Sequence, residues 1–263
     1  MAIANTALWQ GGPMRVAVVG ATGLTGRAVV AVLADRAIDV VQISRANGVD
    51  AITGEGLSSA LKGVDRVIDV SNTATADEGP ATEFFTTLAT NVGRAAAEAG
   101  VQRVVVLSIV GVDRLSSGYF AAKFKHEQAA FASGVPTVVL RATQFHEFAN
   151  QVLDWGREGD VTRIREQLSQ PVELSVVART LVELALAEDD PQPITELGGP
   201  KVERLADMVE RLIDARGLSL RVEETTDDTE DGRAVAQDAL LPGPQATLAG
   251  IDFQTWLDGG ATS

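Results

Sequence analysis

The sequence predicts an α/β protein in which a doubly wound parallel sheet carries a small, mostly helical C-terminal cap. Short β-branched runs such as Val16 to Val19 and Val104 to Leu107 are continuous rather than alternating. Such runs are typical of parallel strands that helices cover on both faces. Ala- and Leu-rich segments separate the runs, and a repeated β-α-β order with right-handed crossovers builds a doubly wound sheet.

The predicted elements alternate as far as residue 145. Strands are predicted at Arg15–Val19, 39–44, 49–52, 66–70, 103–108 and 137–141, and helices at 23–34, 57–61, 83–99 and 119–133. Later helices, at 147–157, 176–188 and Leu205–Ala215, are separated by proline-containing turns. The chain is therefore predicted to comprise an N-terminal arm at 1–14, an α/β domain at 15–145 and a cap at 146–263. Within the cap, the acidic run at 223–231 is predicted to be a solvated surface loop.

Composition restricts the classes of function. The 263 residues include 22 Lys and Arg against 36 Asp and Glu, a net charge of −14, which argues against nucleic acid or an anionic membrane as the main partner. The sequence has no cysteine and two histidines, so we expect no metal site. No apolar run approaches the ~20 residues of a membrane-spanning helix, and residues 1–13 do not resemble a signal peptide. A soluble, cytoplasmic protein is expected.

A glycine-rich turn follows the first predicted strand and opens the first helix. The first glycine permits a sharp turn, the second lets a pyrophosphate approach the backbone, and the third lets the helix pack close to the strand. The free N–H groups and dipole of that helix favour a phosphate. This context predicts a Rossmann-like dinucleotide site, the alternative being a turn without a ligand. The predicted phosphate-binding residues are Gly20, Thr22, Gly23, Leu24, Thr25 and Gly26.

The end of the second predicted strand bears on the choice of cofactor. An acidic residue there usually binds the ribose hydroxyls of NAD, but this chain has Ser44 and Arg45. A guanidinium and a hydroxyl suit a 2′-phosphate, so NADP(H) is favoured over NAD(H). The alternative is a surface arginine at a strand end. Asp50 could accept a hydrogen bond from the adenine amino group, or could equally be a solvated turn residue.

Three side chains form a candidate catalytic set. Ser108 ends a strand at the carboxyl edge of the sheet, where ligands bind, and Tyr119 and Lys123 share a face of the next helix. An ammonium near the phenol is expected to lower the pKa of Tyr119, so that it exchanges a proton with substrate. Ser108 would hold the carbonyl oxygen. Alternatively, Tyr119 caps a surface helix and Lys123 pairs with Glu127.

Together these motifs resemble the atypical short-chain dehydrogenase/reductases, and most closely their NmrA-like, NAD(P)H-binding branch. The resemblance extends from about Arg15 to Trp155. It is carried by Gly20-x-x-Gly23-x-x-Gly26, Ser44-Arg45, Leu107-Ser108, Tyr119-x-x-x-Lys123 and Arg141-Ala142-Thr143-Gln144-Phe145.

The resemblance implies further site residues. Val70, Ser71 and Asn72 would line the cofactor ribose, and the segment from Arg141 to Phe145, including Ala142 and Thr143, would border the nicotinamide and the substrate. Lys123 would also bind the nicotinamide ribose. A further asparagine of the family's catalytic set has a possible counterpart in Asn91, which could equally be a helix-interior residue and is left out of the set.

Residues after the last predicted strand of the α/β domain are candidates for substrate contact. These are Phe145, His146 and Phe148. His146 could act as an acid–base group, although a helix-start residue with a local hydrogen bond is the simpler interpretation. Trp155 is expected in an apolar wall between sheet and cap, and His126 at the surface.

The sequence thus predicts an NADP(H)-dependent oxidoreductase that transfers hydride between nicotinamide and a small carbonyl or quinone-like substrate. One alternative is a non-catalytic NAD(P)H-binding redox sensor that acts through a protein partner. Another is non-redox chemistry on a sugar nucleotide or isoprenoid, since fold alone does not specify function. Whether the protein is a monomer or a homodimer stays open.

Overall fold

The computed structural model describes residues 14–260, so the predicted arm at 1–14 lies outside the described residues except for Met14. The strands are β1 Arg15–Val19, β2 Asp39–Ile43, β3 Arg66–Asp69, β4 Arg103–Ile109, β5 Thr137–Ala142, β6 Arg157–Glu158, β7 Val161–Arg165, β8 Leu168–Ser169, β9 Ile194–Gly198, β10 Glu203–Arg204, β11 Arg221–Thr225 and β12 Thr247–Leu248. The helices are α1 Leu24–Asp35, α2 Leu57–Ala60, α3 Glu78–Ala99, α4 Gly118–Phe131, α5 Phe148–Trp155, α6 Leu174–Leu186, α7 Leu205–Ala215, α8 Glu230–Ala236 and α9 Phe253–Asp258.

Seven strands form the central sheet in the order β12-β9-β5-β4-β3-β1-β2. All neighbouring strands in it run parallel, which confirms the predicted Rossmann-like α/β class. Because β2 lies on one side of β1 and β3 on the other, the chain changes direction across the sheet at β1. Crevices for ligands form at the carboxyl ends of strands at such a point.

Helices cover both faces of this sheet, and alternate residues of β1 show how. Val16 and Val18 are buried in a cluster with α1 and α6, where they meet side chains such as Leu33. Ala17 and Val19 point the other way, into a cluster with α3, since successive side chains of a strand face opposite sides. The continuous apolar runs of the sequence therefore reflect two buried faces.

Part of the chain after residue 145 belongs to the central sheet and to the helices that cover it. Helix α6 packs in the same apolar layer as α1, and β9 pairs with β5. The remaining C-terminal elements include α5, α7 and α9, which share an apolar cluster, and two small sheets, β11-β7-β6 and β10-β8. The cap thus contains short strands that the sequence pattern does not reveal.

Two local predictions are wrong. The segment 49–52 is a turn rather than a strand: Asp50 Oδ1 accepts hydrogen bonds from the amides of Ile52, at 2.8 Å, and Thr53, at 3.3 Å. The acidic run at 223–231 is not one loop, because its start belongs to β11, which pairs with β7, and its end begins α8. Among residues 14–260, no helix is long and apolar enough to cross a membrane.

Candidate functional site

The glycine-rich turn packs tightly between two strand ends. Gly20 has a φ of +81°, and a Cβ atom there would lie 3.1 Å from the backbone of Ser71. A Cβ on Gly26 would lie 2.1 Å from the carbonyl oxygen of Gly20. Only glycine allows this approach of α1 to the turn. Gly20 thus permits the sharp turn and Gly26 the close packing of the helix, which are the roles that the sequence predicts for them.

The first turn of α1 leaves its amide groups available to a ligand. Gly23 precedes the helix without a side-chain cap, and the first turn contains no acidic residue. Thr22 and Leu24 are exposed, while Thr25 is buried under the turn. Free N–H groups at the positive end of a helix dipole suit an anion.

Within residues 14–260, three serine hydroxyls at the carboxyl edge of the sheet are buried without a hydrogen-bond partner. These are Ser44 Oγ after β2, Ser71 Oγ after β3 and Ser108 Oγ near the end of β4. Buried hydroxyls nearly always have a partner. Three orphaned hydroxyls at one sheet edge, beside a glycine cradle, fit a polar ligand such as a dinucleotide that completes them.

The side chains that follow β2 differ in how free they are to bind a ligand. Ser44 precedes a short 3₁₀ turn, Arg45–Asn47, and the side chain of Arg45 is exposed. The Oδ1 atom of Asp50 is engaged in the turn described above. Asn91, from α3, donates to the carbonyl oxygens of Ala51 at 3.1 Å and Ile52 at 2.8 Å. Asn91 therefore anchors this turn, in keeping with its omission from the catalytic set.

Tyr119 lies in the first turn of α4 and faces the segment after β3. Its hydroxyl donates to Asn72 Oδ1 at 2.5 Å, and its ring meets Phe85 edge-on. Burial raises the pKa of Tyr119 to about 12. The expectation that Lys123 lowers this pKa is therefore wrong, because desolvation of the phenolate dominates. A phenol with this pKa keeps its proton at neutral pH and suits a proton donor.

Lys123 is buried rather than directed to solvent. Its Nζ donates to the carbonyl oxygen of Leu107 at 2.9 Å and contacts His126 Nδ1 at 3.0 Å, and it lies 4.6 Å from the centre of the Phe85 ring. Burial lowers the pKa of Lys123 to about 8. Glu127 instead binds Arg141, with contacts of 3.0 and 2.7 Å.

His126, expected at the surface, is fully buried, and that prediction is wrong. It lies seven residues after Tyr119 and so on the same face of α4, which packs on α3. Phe85 stacks on its ring, with centroids 5.0 Å apart. Its Nε2 lies 3.0 Å from Asp69 Oδ2. Asp69 is a further site residue that was not predicted, although its position at the end of a buried strand was a usable signal.

On the cap side, the segment after β5 is held by backbone groups. Ala142 and Thr143 are buried, and Thr143 Oγ1 donates to the carbonyl oxygen of Gln170 at 2.6 Å. Phe145 bridges to Val172. These contacts place the predicted nicotinamide-facing residues at the carboxyl end of the sheet.

His146 is a core residue of the cap. It is fully buried, its Nε2 contacts the carbonyl oxygen of Ile251 at 3.1 Å, and its ring packs on Trp256. Burial lowers the pKa of His146. Phe148 is partly buried against Trp155, but the side chain of Trp155 is 72% exposed. The expectation of Trp155 in a buried wall is therefore wrong, because it ends α5 at the surface.

A carboxylate from the cap binds the start of α4. Asp231 accepts from the amides of Ser116, at 3.1 and 3.0 Å, and Ser117, at 2.8 Å, and from both serine hydroxyls. Burial opposes its ionisation, but the hydrogen bonds from Ser117 and Ser116 outweigh burial and lower the pKa of Asp231. The prediction of a merely solvated acidic run is wrong for this residue. No sequence signal indicates a contact across 114 residues.

Comparisons with known proteins agree with this geometry. The profile of a protein family described as NAD(P)H-binding matches residues 20–188. This match covers the glycine-rich turn, the three serines, and Tyr119 and Lys123. A search of curated proteins gives no match.

Solved structures with a similar fold include three ligand complexes. The NADPH-dependent quinone oxidoreductase QOR2 from Escherichia coli, complexed with NADPH, is 17% identical, with a TM-score of 0.68 over 94% of this chain and 99% of that one. A short-chain dehydrogenase/reductase superfamily protein from Agrobacterium tumefaciens with bound NAD is also 17% identical, with a TM-score of 0.67 over 94% and 96%. UDP-glucose 4-epimerase from Thermus thermophilus with NAD is 18% identical, with a TM-score of 0.65 over 94% and 93%.

Proposed function

The chain belongs to this NAD(P)H-binding family, and we propose that it is an NADP(H)-dependent oxidoreductase of the atypical short-chain dehydrogenase/reductase type. The substrate would be a small carbonyl or quinone-like molecule. The observation that carries the proposal is the convergence of Ser108 and Lys123 on the end of β4. Lys123 binds the carbonyl oxygen of Leu107, and the next residue, Ser108, has a buried hydroxyl without a partner.

Each residue of the set has a distinct role in this proposal. The bound cofactor would supply or accept the hydride. Ser108 Oγ donates a hydrogen bond to the substrate carbonyl oxygen and stabilises the charge that develops there. Lys123 holds the nicotinamide ribose with its ammonium, and Tyr119 donates its hydroxyl proton to the oxygen.

The protonation state of Tyr119 is compatible with a proton donor. A phenol with a pKa of about 12 is neutral at physiological pH, so it carries the proton that a carbonyl oxygen takes up on reduction. In the ligand-free protein the single hydroxyl proton of Tyr119 is donated to Asn72 Oδ1, so this hydrogen bond has to give way when the phenol donates to the substrate oxygen.

A preference for NADP(H) is the second part of the proposal. Arg45 is exposed beside the orphaned hydroxyl of Ser44, which suits the two groups to a 2′-phosphate. Fluorescence titration should show NADPH binding more tightly than NADH, with the difference lost in Arg45→Ala. Arg179→Ala, which removes an exposed arginine from α6, is the matched control. Equal affinities of the wild type for the two cofactors would contradict the preference.

Turnover of a panel of carbonyls and quinones tests the catalytic assignment. Tyr119→Phe keeps the ring against Phe85 and removes only the proton donor, so kcat should fall by about 10²–10⁴-fold while NADPH affinity is retained. Undiminished turnover in Tyr119→Phe would refute the role of Tyr119. Tight NADPH binding by the wild type without turnover of any substrate would favour the redox-sensor alternative.

A further inference from the structure

Three buried side chains form a continuous row of hydrogen bonds behind the candidate site. Lys123 Nζ lies 3.0 Å from His126 Nδ1, and His126 Nε2 lies 3.0 Å from Asp69 Oδ2. Lys123, His126 and Asp69 are 4%, 0% and 2% exposed. Contact with solvent therefore does not explain why these three polar side chains occur here.

The direction of each hydrogen bond in this row follows from chemistry. Burial alone would raise the pKa of Asp69, but the hydrogen bonds from His126 and from the Ser71 amide outweigh it and lower that pKa, so Asp69 is an ionised acceptor. His126 must then carry its proton on Nε2, which leaves Nδ1 to accept from Lys123. Burial and the ammonium of Lys123 lower the pKa of His126, which keeps the ring neutral.

One N–H of the ammonium is left for a ligand. Among the described residues, Lys123 Nζ bonds to the Leu107 carbonyl oxygen and to His126, and an ammonium has three donors. Asp69 also binds the segment after β3, since its Oδ1 accepts from the Ser71 amide at 2.9 Å. The same carboxylate thus holds both Lys123, through His126, and the backbone of Ser71.

We propose that Asp69 and His126 are positioning residues that hold Lys123 protonated and aimed at the cofactor. This inference rests on the proposed function and adds two residues to its site. Lysine has a flexible stem and loses its charge readily when buried, so a buried ammonium needs fixed acceptors. Asp69 supplies the compensating negative charge. The His126 ring, which Asp69 orients, links this carboxylate to the ammonium through two hydrogen bonds.

The row ends at Asp69, which borders a small and mainly apolar cavity. A cavity of about 10 Å³ borders Asp69 and is lined mainly by apolar side chains from α3, α4 and β4. This volume holds about one water, which would need several polar partners. A static positioning role therefore fits the surroundings better than a proton channel.

The charged groups around the Lys123 ammonium indicate which replacement should affect its pKa. Asp69 from β3 and Glu127 from α4 both favour the charged form of Lys123, and Glu127 is itself paired with Arg141 from β5. The α3 side contributes the uncharged ring of Phe85. Asp69 is therefore the carboxylate whose removal should most directly discharge Lys123.

Asp69→Asn tests the proposal with little change of shape. An asparagine has one carbonyl oxygen for the two donors, so either Ser71 or His126 loses its acceptor, and the ammonium loses its countercharge. In the ligand-free protein, the side-chain NMR signal of Lys123 should titrate near pH 8 in the wild type and about one pH unit or more lower in Asp69→Asn. The sequence has only four lysines, which makes this assignment practical.

Cofactor binding provides the second measurement. In the wild type, NADPH affinity should fall as the pH rises through the Lys123 transition, because the ammonium loses its charge. At pH 7.5, Asp69→Asn should bind NADPH on the order of tenfold to a hundredfold more weakly. Asp65→Asn, at the other end of β3, is the matched control and should match the wild type in both measurements.

His126→Phe keeps a ring stacked on Phe85 and removes both hydrogen bonds. This variant tests the positioning role if Asp69→Asn fails to fold. Like Asp69→Asn, His126→Phe should lower the pH at which Lys123 titrates and should weaken NADPH binding. A Lys123 signal that titrates as in the wild type, in either folded variant, would overturn the proposal. Absence of NADPH and NADH binding by the wild type would instead overturn the proposed function, so the two failures are distinguishable.

Discussion

Replacing Glu127 with alanine should destabilise the protein by about 3 kcal/mol, because the guanidinium of Arg141 would lose its buried partner. Arg141 donates to Glu127 through Nε at 3.0 Å and Nη2 at 2.7 Å, and the two side chains are 6% and 2% exposed. Breaking a buried ion pair costs about 3–5 kcal/mol. Arg141 keeps a contact with Asp113 at 2.7 Å, which places the expected loss at the lower end.

This pair joins the helix that carries Tyr119 and Lys123 to strand β5, so the effect should be visible in global unfolding. A loss of about 3 kcal/mol corresponds to a fall in Tm of about 6–12 °C for a domain of this size. Urea and thermal unfolding measure both quantities. Glu98→Ala is the control, because its ion pair with Arg94 is more than half exposed and contributes at most about 0.5 kcal/mol.

A double replacement separates loss of the pair from loss of packing. Glu127→Leu combined with Arg141→Met removes both charges and should recover most of the lost stability, since apolar pairs often substitute for buried ion pairs. If Glu127→Ala costs no more than Glu98→Ala, the argument from buried charge is refuted.

Two further predictions concern the turn and the cap. Gly26→Ala should weaken NADPH binding at least tenfold and destabilise the fold by about 1–3 kcal/mol, because its Cβ would lie 2.1 Å from the carbonyl oxygen of Gly20. The control is Gly79→Ala, which has open space around it and should be neutral or stabilising. Asp231→Asn should lower kcat and Tm at pH 7 relative to Asp228→Asn, by loosening the start of α4. Because the pKa of Asp231 is lowered, its stabilising contribution exists above the ordinary carboxyl pKa and disappears as the pH falls through the lowered value. A difference in Tm between wild type and Asp231→Asn that persists in acid would contradict this.

Sequence alone determined the features that local chemistry encodes. The glycine-rich turn specifies a tight strand-to-helix connection, in which positions 20 and 26 have no room for a side chain. The continuous apolar runs specify parallel strands with two buried faces. Both signals come from neighbouring residues, so no knowledge of the fold is needed to interpret them. The fold class followed from these signals, and the family from the glycine motif together with the serine, tyrosine and lysine motifs.

Tertiary structure alone decided the electrostatics of the site. His126 looked like a surface residue until α4 packed on α3, and the pKa of Tyr119 rises because burial outweighs the effect expected of Lys123. Asp69 meets His126 across 57 residues of chain, and Asp231 meets Ser117 across 114. Burial and long-range contacts depend on how elements pack, whereas a sequence pattern reports only the spacing of residues within one element.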